Sequence, residues 1–300
     1  METVISGIKA VFGSELKINK IFLVIGLLYC LLLIVVGFFE MAYSKTRNEL
    51  NLIKDSVFLN QKQNSEIFTR EDISHLPYPV KKYFDYCGFL NKPKMYSMKA
   101  VFKDVKFLFD KGKTTLTIDY LQYNKVKEPA RIAYIHSYKY GVPFEGLDSY
   151  IGGKGSMKGV LAKIFTLFNQ TGENMNKACL VTFLSECLLV PNAALQDYIT
   201  WEEIDHLHAK AVINYFGMEV QGIFTFNEKG ELISFTTNDR EAISSDGKSE
   251  KVRWTAVLGE YEEKEGIKRP TRLQAIWHYD DGDLLYFDGK GVIIENDPAD

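Results

Sequence analysis

The chain has 300 residues, 46% hydrophobic and 25% charged, with a net charge of −3. With a pI near 6.0, this composition excludes the basic stripe of a nucleic-acid binder, so no nucleic-acid partner is expected. Roughly 250 residues follow the N-terminal segment, enough to bury a full core in one large domain.

Residues 1–20 open the chain with Val4, Ile5, Ile8, Val11, Phe12 and Leu16 at helical spacing, the pattern of a segment lying along a membrane interface on the cytoplasmic side. Ile21 to Phe39 is then free of charge, bounded by Lys20 and Glu40. As a helix this run covers about 28 Å, close to a bilayer's hydrocarbon thickness. The sequence therefore predicts one transmembrane helix over 21–40 and a single-pass protein of the cell membrane. A cleaved signal peptide is the rival reading, but the apolar run is too long and no Ala-x-Ala site follows it. Cys30 lies mid-run behind Tyr29, which does not fit a lipoprotein signal. Lys9, Lys17 and Lys20 before the span nearly balance Lys45, Arg47 and Lys54 after it. The free amine tips the comparison toward a cytoplasmic N-terminus and an extracytoplasmic domain.

Behind the span, residues 41–75 read as a stalk and linker. Leu50, Ile53 and Val57 keep helical spacing to about Asn60, and Gln61–Ser65 is polar. A single β-rich domain is expected over 76–297. Pro79 suits a first helical turn and Gly88 a C-terminal cap, with Val80, Tyr83, Phe84 and Cys87 on one face. From Lys94 the period becomes two, predicting strands over Tyr96–Phe109, Thr114–Tyr123 and Ala130–Tyr138, with a hairpin turn at Asp110–Lys113. The glycine-rich stretch Gly141–Gly159 reads as irregular. A helical insert is expected over about 160–198, comprising Val160–Phe168, Met175–Leu189 and a short helix from Pro191. Six alternating segments follow: His206–Phe216, Glu219–Phe226, Leu232–Asn238, Lys251–Tyr261, Thr271–Tyr279 and Leu284–Glu295. The expected fold is α+β, an N-terminal transmembrane helix followed by a curved antiparallel sheet, an open half-barrel covered by a few helices.

No motif declares a chemistry. Cys30, Cys87, Cys179 and Cys187 include no Cys-x-x-Cys pair, and eight residues of helix between the last two put them about 12 Å apart. Ile151-Gly-Gly-Lys-Gly-Ser156 lacks phosphate-loop spacing, and a turn needing positive φ accounts for its glycines. His206 and His208, two apart at a strand start, would share a face as metal ligands, although zinc needs a third. Asp280-Asp-Gly-Asp283 lacks the rest of a calcium loop and reads as a hairpin turn. Glu186 within an apolar stretch, and Asp148 and Tyr150 before the glycines, are candidate catalytic groups. Phe107, Trp201, Trp254, Trp277 and Tyr286 are candidate walls of an apolar cavity. No cofactor is called for.

Four segments carry a resemblance. They are Leu76-Pro-x-Pro-Val-Lys-Lys-Tyr83, Asp148-Ser-Tyr-Ile-Gly-Gly-Lys-Gly-Ser-Met157, Leu184-Ser-Glu-Cys-Leu-Leu-Val-Pro-Asn-Ala-Ala-Leu195, and Gly259-Glu-Tyr-x4-Gly266-Ile-Lys-Arg-Pro-Thr271 with Ala275-Ile-Trp-His278. In this order they resemble a bacterial family of membrane-anchored proteins, the domain of unknown function 6544, over about residues 76–295. Val190 departs from it, standing where an aromatic is expected. The resemblance transfers no site residue. The Tyr261–Thr271 stretch also looks like the final hairpins of lipoprotein-carrier domains of the Lol type. That likeness implies a curved sheet closed by helices over an apolar cavity. Three readings follow: a tethered module binding a lipid or other apolar ligand, a membrane-anchored enzyme using Glu186, Asp148 or the histidine pair, and a structural partner in the cell envelope. The bilayer is the one partner common to all.

Overall fold

The computed structural model describes residues 2–58, 66–108, 111–112, 115–243 and 247–298, with side chains from residue 20 onward. The expected linker Gln61–Ser65, the stalk end at Asn60, and Phe109, Asp110 and Lys113 of the first hairpin lie outside the described residues. Residues 1–44 and 45–300 form two compact units. The first is helix α1 (Glu2–Glu40), long and apolar enough to cross a bilayer by length and composition. Its large apolar side chains from Ile21 to Phe38 are exposed.

In the second unit, helix α2 (Lys45–Ile53) runs into a π-helical turn, Lys54–Phe58. Leu50, Ile53, Val57 and Phe58 pack on Ala130, Ile132, Tyr134 and Leu147 of the sheet. Residues 45–58 therefore do not project as a stalk, because their apolar stripe finds an apolar sheet face. Helix α3 (Tyr78–Cys87) has proline in its first turn and ends at Gly88, whose φ of 75° lets its N–H reach the Asp85 carbonyl. Val80, Tyr83, Phe84 and Cys87 are all buried, as their spacing predicts. Burial pushes the Cys87 thiol up to about 12, so it is inert core.

The sheet is antiparallel throughout. Its first arm is a meander of β1 (Ser97–Phe107), β2 (Leu116–Lys125), β3 (Ala130–Lys139), β4 (Val142–Ile151), β5 (Lys154–Leu161) and β6 (Phe165–Gln170). Helix α4 (Glu173–Ser185) and a 3-10 turn, Pro191–Leu195, then lead to β7 (Ile199–Glu203), β8 (His208–Tyr215), β9 (Met218–Phe226) and β10 (Leu232–Thr237). A separate hairpin of β11 (Glu241–Ile243) and β12 (Ser249–Lys251) precedes β13 (Arg253–Lys264), β14 (Ile267–Tyr279), β15 (Gly282–Lys290) and β16 (Ile293–Asn296). The spatial order is β6-β5-β4-β3-β2-β1-β15-β14-β13-β10-β9-β8-β7, with β16 also on β1. Its ends, β6 and β7, do not pair with each other, so the sheet is an open α+β half-barrel.

Connectivity explains the curvature. The chain leaves one edge at β6 and re-enters at the opposite edge, β7, through α4. Helix α4 touches β4 and β5 of one arm and β8 and β9 of the other. A flat sheet would hold those strands far apart, at about 4.8 Å per strand. The sheet must wrap around the helix, which forms the roof of its concave side. From Ala178 to Ser185 every residue of α4 is buried, which fits a helix packed on more than one side.

Two expectations in the middle of the chain fail. The stretch 141–159 is not irregular but the hairpin β4–β5, turning on Gly152 and Gly153 at φ of 56° and 77°. Residues 160–168 are not helical; they end β5 and start β6, turning at Ala162 and Lys163. In β4, Pro143 to Leu147 are buried without alternation, because the core under α4 takes Phe144 while the α2 side takes Leu147. A strand covered on both faces loses the period-two signal. At the other end, the single strand expected over Leu284–Glu295 is two strands broken at Gly291.

The roof sits close to the sheet because β5 offers no side chain there. A Cβ on Gly155 would lie 2.6 Å from the Met175 carbonyl oxygen and 2.9 Å from Cys179 Sγ. Gly155→Val is expected to lift the start of α4 and cost about 1–3 kcal/mol, read as a lower urea midpoint with an unchanged slope.

The N-terminal side of α3 is clamped by Asp72, which accepts hydrogen bonds from the Thr69 amide and hydroxyl and from Lys94 Nζ, each at 2.8 Å. Burial works against its charge, but the Lys94 and Thr69 bonds outweigh it and hold its carboxyl below the ordinary range. A depressed carboxyl stabilises the fold fully above its unfolded value near 3.9 and loses that contribution as pH falls through the folded value. Asp72→Asn should lower the urea midpoint at pH 7 and narrow the difference from wild type as pH drops below about 3.9.

Candidate functional site

Beneath α4 the concave face holds two adjoining chambers. The inner one, about 150 Å³, is walled by Met98, Phe102, Phe107, Ile135, Leu258 and Phe287 among others, with Glu186 on its rim. The outer one, about 580 Å³, is bounded by Phe168, Met175, Trp277, Tyr279 and the β11–β12 hairpin. Phe107, Asp148, Met157, Thr182, Arg240 and Tyr286 line both, so the chambers share a wall. The larger volume falls in the range of small-molecule sites.

Antiparallel register builds the polar end. Tyr120, Gln122 and Asn124 alternate along β2 and so share one face. Arg131 of β3 pairs with Asn124, and Asp148 of β4 pairs with Ala133. The C-cap of α4 brings Glu186 down onto this patch. Arg131, with only 4% of its side chain exposed, is the hub. Its Nε donates to Glu186 at 3.0 Å, Nη1 to Asp148 at 2.8 Å, and Nη2 to Tyr120 Oη at 2.5 Å and Gln122 Oε1 at 3.2 Å. Gln122 and Asn124 each donate to Glu186 Oε2 at 2.8 Å. Burial opposes the guanidinium's charge, but Glu186, Tyr120 and Asp148 outweigh it and hold Arg131 protonated throughout the accessible pH range. Burial also raises the Tyr120 hydroxyl and, aided by Asp148, the Cys179 thiol, keeping both neutral.

The candidate acids are thus engaged. Glu186 and Asp148 share one guanidinium, an arrangement that ties the helix end to three strands. Tyr150 is buried with its hydroxyl unpaired among the described residues and lines neither chamber. The histidines separate: His206 Nε2 contacts Glu228 at 3.1 Å, while His208 Nδ1 contacts Asp205 at 2.8 Å. Among the described residues no three His, Cys, Asp or Glu side chains group as metal ligands.

Of the apolar candidates, Phe107 and Tyr286 line both chambers, Trp254 the inner and Trp277 the outer. Trp277 stacks on Tyr286 with ring centres 5.9 Å apart, and Trp254 Nε1 donates to Tyr286 Oη at 3.0 Å. Trp201 lies elsewhere, packed on Phe224 and donating to the Ala194 carbonyl. Sequence reasoning missed Arg131 and Arg240. Arg131 alternates with Ala133 and Ile135 on an apolar strand, and that inward phase was its signal. Arg240 follows β10 in a short loop and carried none.

A family model described as "Family of unknown function (DUF6544)" matches residues 66–289. The chain belongs to this family. Its matched span begins before α3 and ends in β15, so it takes in the whole of α4 and both chambers. A solved LolA superfamily protein from Nitrosomonas europaea is similar at 13% identity and a TM-score of 0.30, over 73% of this chain and 94% of that one. No curated protein matches.

Removing Arg131 would leave two half-buried carboxylates without their cation. Arg131→Met is expected to cost about 3–5 kcal/mol in urea unfolding. Asn124→Ala, which removes one donor to Glu186, should cost about 1–3 kcal/mol.

Proposed function

We propose that this protein is a membrane-tethered module that holds a lipid, acyl chain or similar apolar ligand between its half-barrel sheet and α4. The observation that carries this reading is the pair of adjoining, mainly apolar chambers on the concave face, walled by Phe107, Trp254, Trp277 and Tyr286. A concave, mainly apolar space of this size is the usual form of a small-molecule site. An apolar surface left open to water is costly, and an apolar ligand relieves that cost.

The uncharged run Ile21–Phe39 within helix α1 supplies the other half of the proposal. As a single membrane span it would keep the domain close to a bilayer, the source of apolar ligands. The near balance of flanking charges, tipped by the free amine, favours an extracytoplasmic domain.

Native mass spectrometry of residues 45–300, which form a compact unit without α1, tests the reading directly. Lipid-mass adducts that dissociate on organic extraction are expected. A domain that carries none and takes up no fluorescent acyl probe overturns the proposal. Trp277→Ala should reduce probe uptake more than it lowers the urea midpoint. A loss of about 3–5 kcal/mol with unchanged uptake per folded molecule would make Trp277 plain core.

A further inference from the structure

Resting on the cavity reading above, we propose that Arg240 is the receptor for an anionic head, a carboxylate or a phosphate, on a single-chain amphiphile whose tail enters the inner chamber. Arg240 lines both chambers. Its guanidinium carbon lies 4.5 Å from the Trp254 ring centre and 5.5 Å from that of Trp277. These aromatic faces hold the cation in place but accept none of its N–H bonds in the plane of the fork. Its Nε is buried and has no hydrogen-bond partner among the described residues. A buried charged donor without an acceptor costs more than an ordinary lost bond, so the position calls for an acceptor that arrives from outside.

Among the described residues, no hydrogen bond or ion pair joins Arg240 to an acid of either chamber, Glu250 of the outer wall included, or to its neighbour Asp239. Asp148 lines both chambers, but it is held by Arg131 at 2.8 Å and by the Cys179 thiol at 3.6 Å. Glu186 is held by Arg131, Gln122 and Asn124. Glu241, next in the chain, accepts from Asn174 at 2.8 Å, and Asp239 accepts from the Gln221 amide at 2.9 Å. Arg131 with its two carboxylates carries a net −1. Lys111, a further cation of the outer wall, is paired with Asp281.

Shape limits the ligand. The inner chamber, about 150 Å³, compares with engineered cavities that take one benzene-sized group. It admits the end of one chain and not several. Arg240, at the junction, places the charge where the apolar space begins to open. A guanidinium fork matches carboxylate and phosphate oxygens equally well, so the shared chemistry is an oxyanion on an apolar stem.

The test uses the full chain in phosphatidylcholine nanodiscs, with tryptophan emission read against probe mole fraction. Tryptophan occurs at 201, 254 and 277 and is absent from α1, so quenching reports the domain. The probes are dibromostearic acid, a brominated lysophosphatidic acid and dibromostearyl alcohol. In wild type at least one anionic probe is expected to quench at about tenfold lower mole fraction than the alcohol, and the tighter of the two assigns the head. Arg240→Gln should bring the anionic probes to the level of the alcohol and leave the alcohol unchanged. Equal quenching by all three probes in wild type, or discrimination retained by Arg240→Gln, overturns the head-group assignment and leaves the cavity reading intact. No quenching by any probe overturns both. If Arg240→Gln loses all three, Arg240→Lys decides: preference for an anion restored supports the proposal, and preference not restored overturns it.

Discussion

One buried guanidinium organises this domain. Arg131 bonds to β2 through Tyr120 and Gln122, to β4 through Asp148, and to the end of α4 through Glu186. Desolvating these charges is costly, and a well-packed apolar substitute could give equal stability. What apolar groups could not supply is direction. Each nitrogen of the fork has its acceptors at fixed places, so the helix can end in one position over the sheet.

That position decides the rest of the architecture. Helix α4 lies in the connection that crosses from edge strand β6 to edge strand β7, and it touches β4, β5, β8 and β9. The sheet curls to meet it. Gly155 admits the helix backbone at one end, and Glu186 is fastened at the other. Between them the helix spans the trough, and the space it does not fill becomes the two chambers.

Charge is distributed unevenly in that space. Arg131 is saturated and serves the fold. Among the described residues Arg240 meets indole faces, and its Nε has no acceptor where the chambers adjoin. The contrast separates the two arginines: one places the roof, and the other is the proposed contact for a ligand head beneath it. The aromatic girdle of Trp254, Trp277 and Tyr286 links them to the apolar wall through rings that also hydrogen-bond one another.

The sequence alone determined the elements whose signal is local. An uncharged run made α1, the proline and glycine bracket made α3, and strands with one wet face, such as β8 and β9, alternate in the text as they do in space. It also pointed to Phe107, Trp254, Trp277 and Tyr286, because large aromatics on alternating strands face inward together. Only the tertiary structure decided β4 to β6, where cover on both faces, or exposure at an edge, erases the alternation. It also decided that residues 45–58 rest on the sheet, since a helical stripe does not name the surface it will meet. Above all it decided the partners of the charged groups. Glu186 and Asp148 looked like two independent acids, 38 residues apart in the chain. They share Arg131 because strand register and the end of α4 bring three distant segments to one point, and no local pattern encodes that meeting.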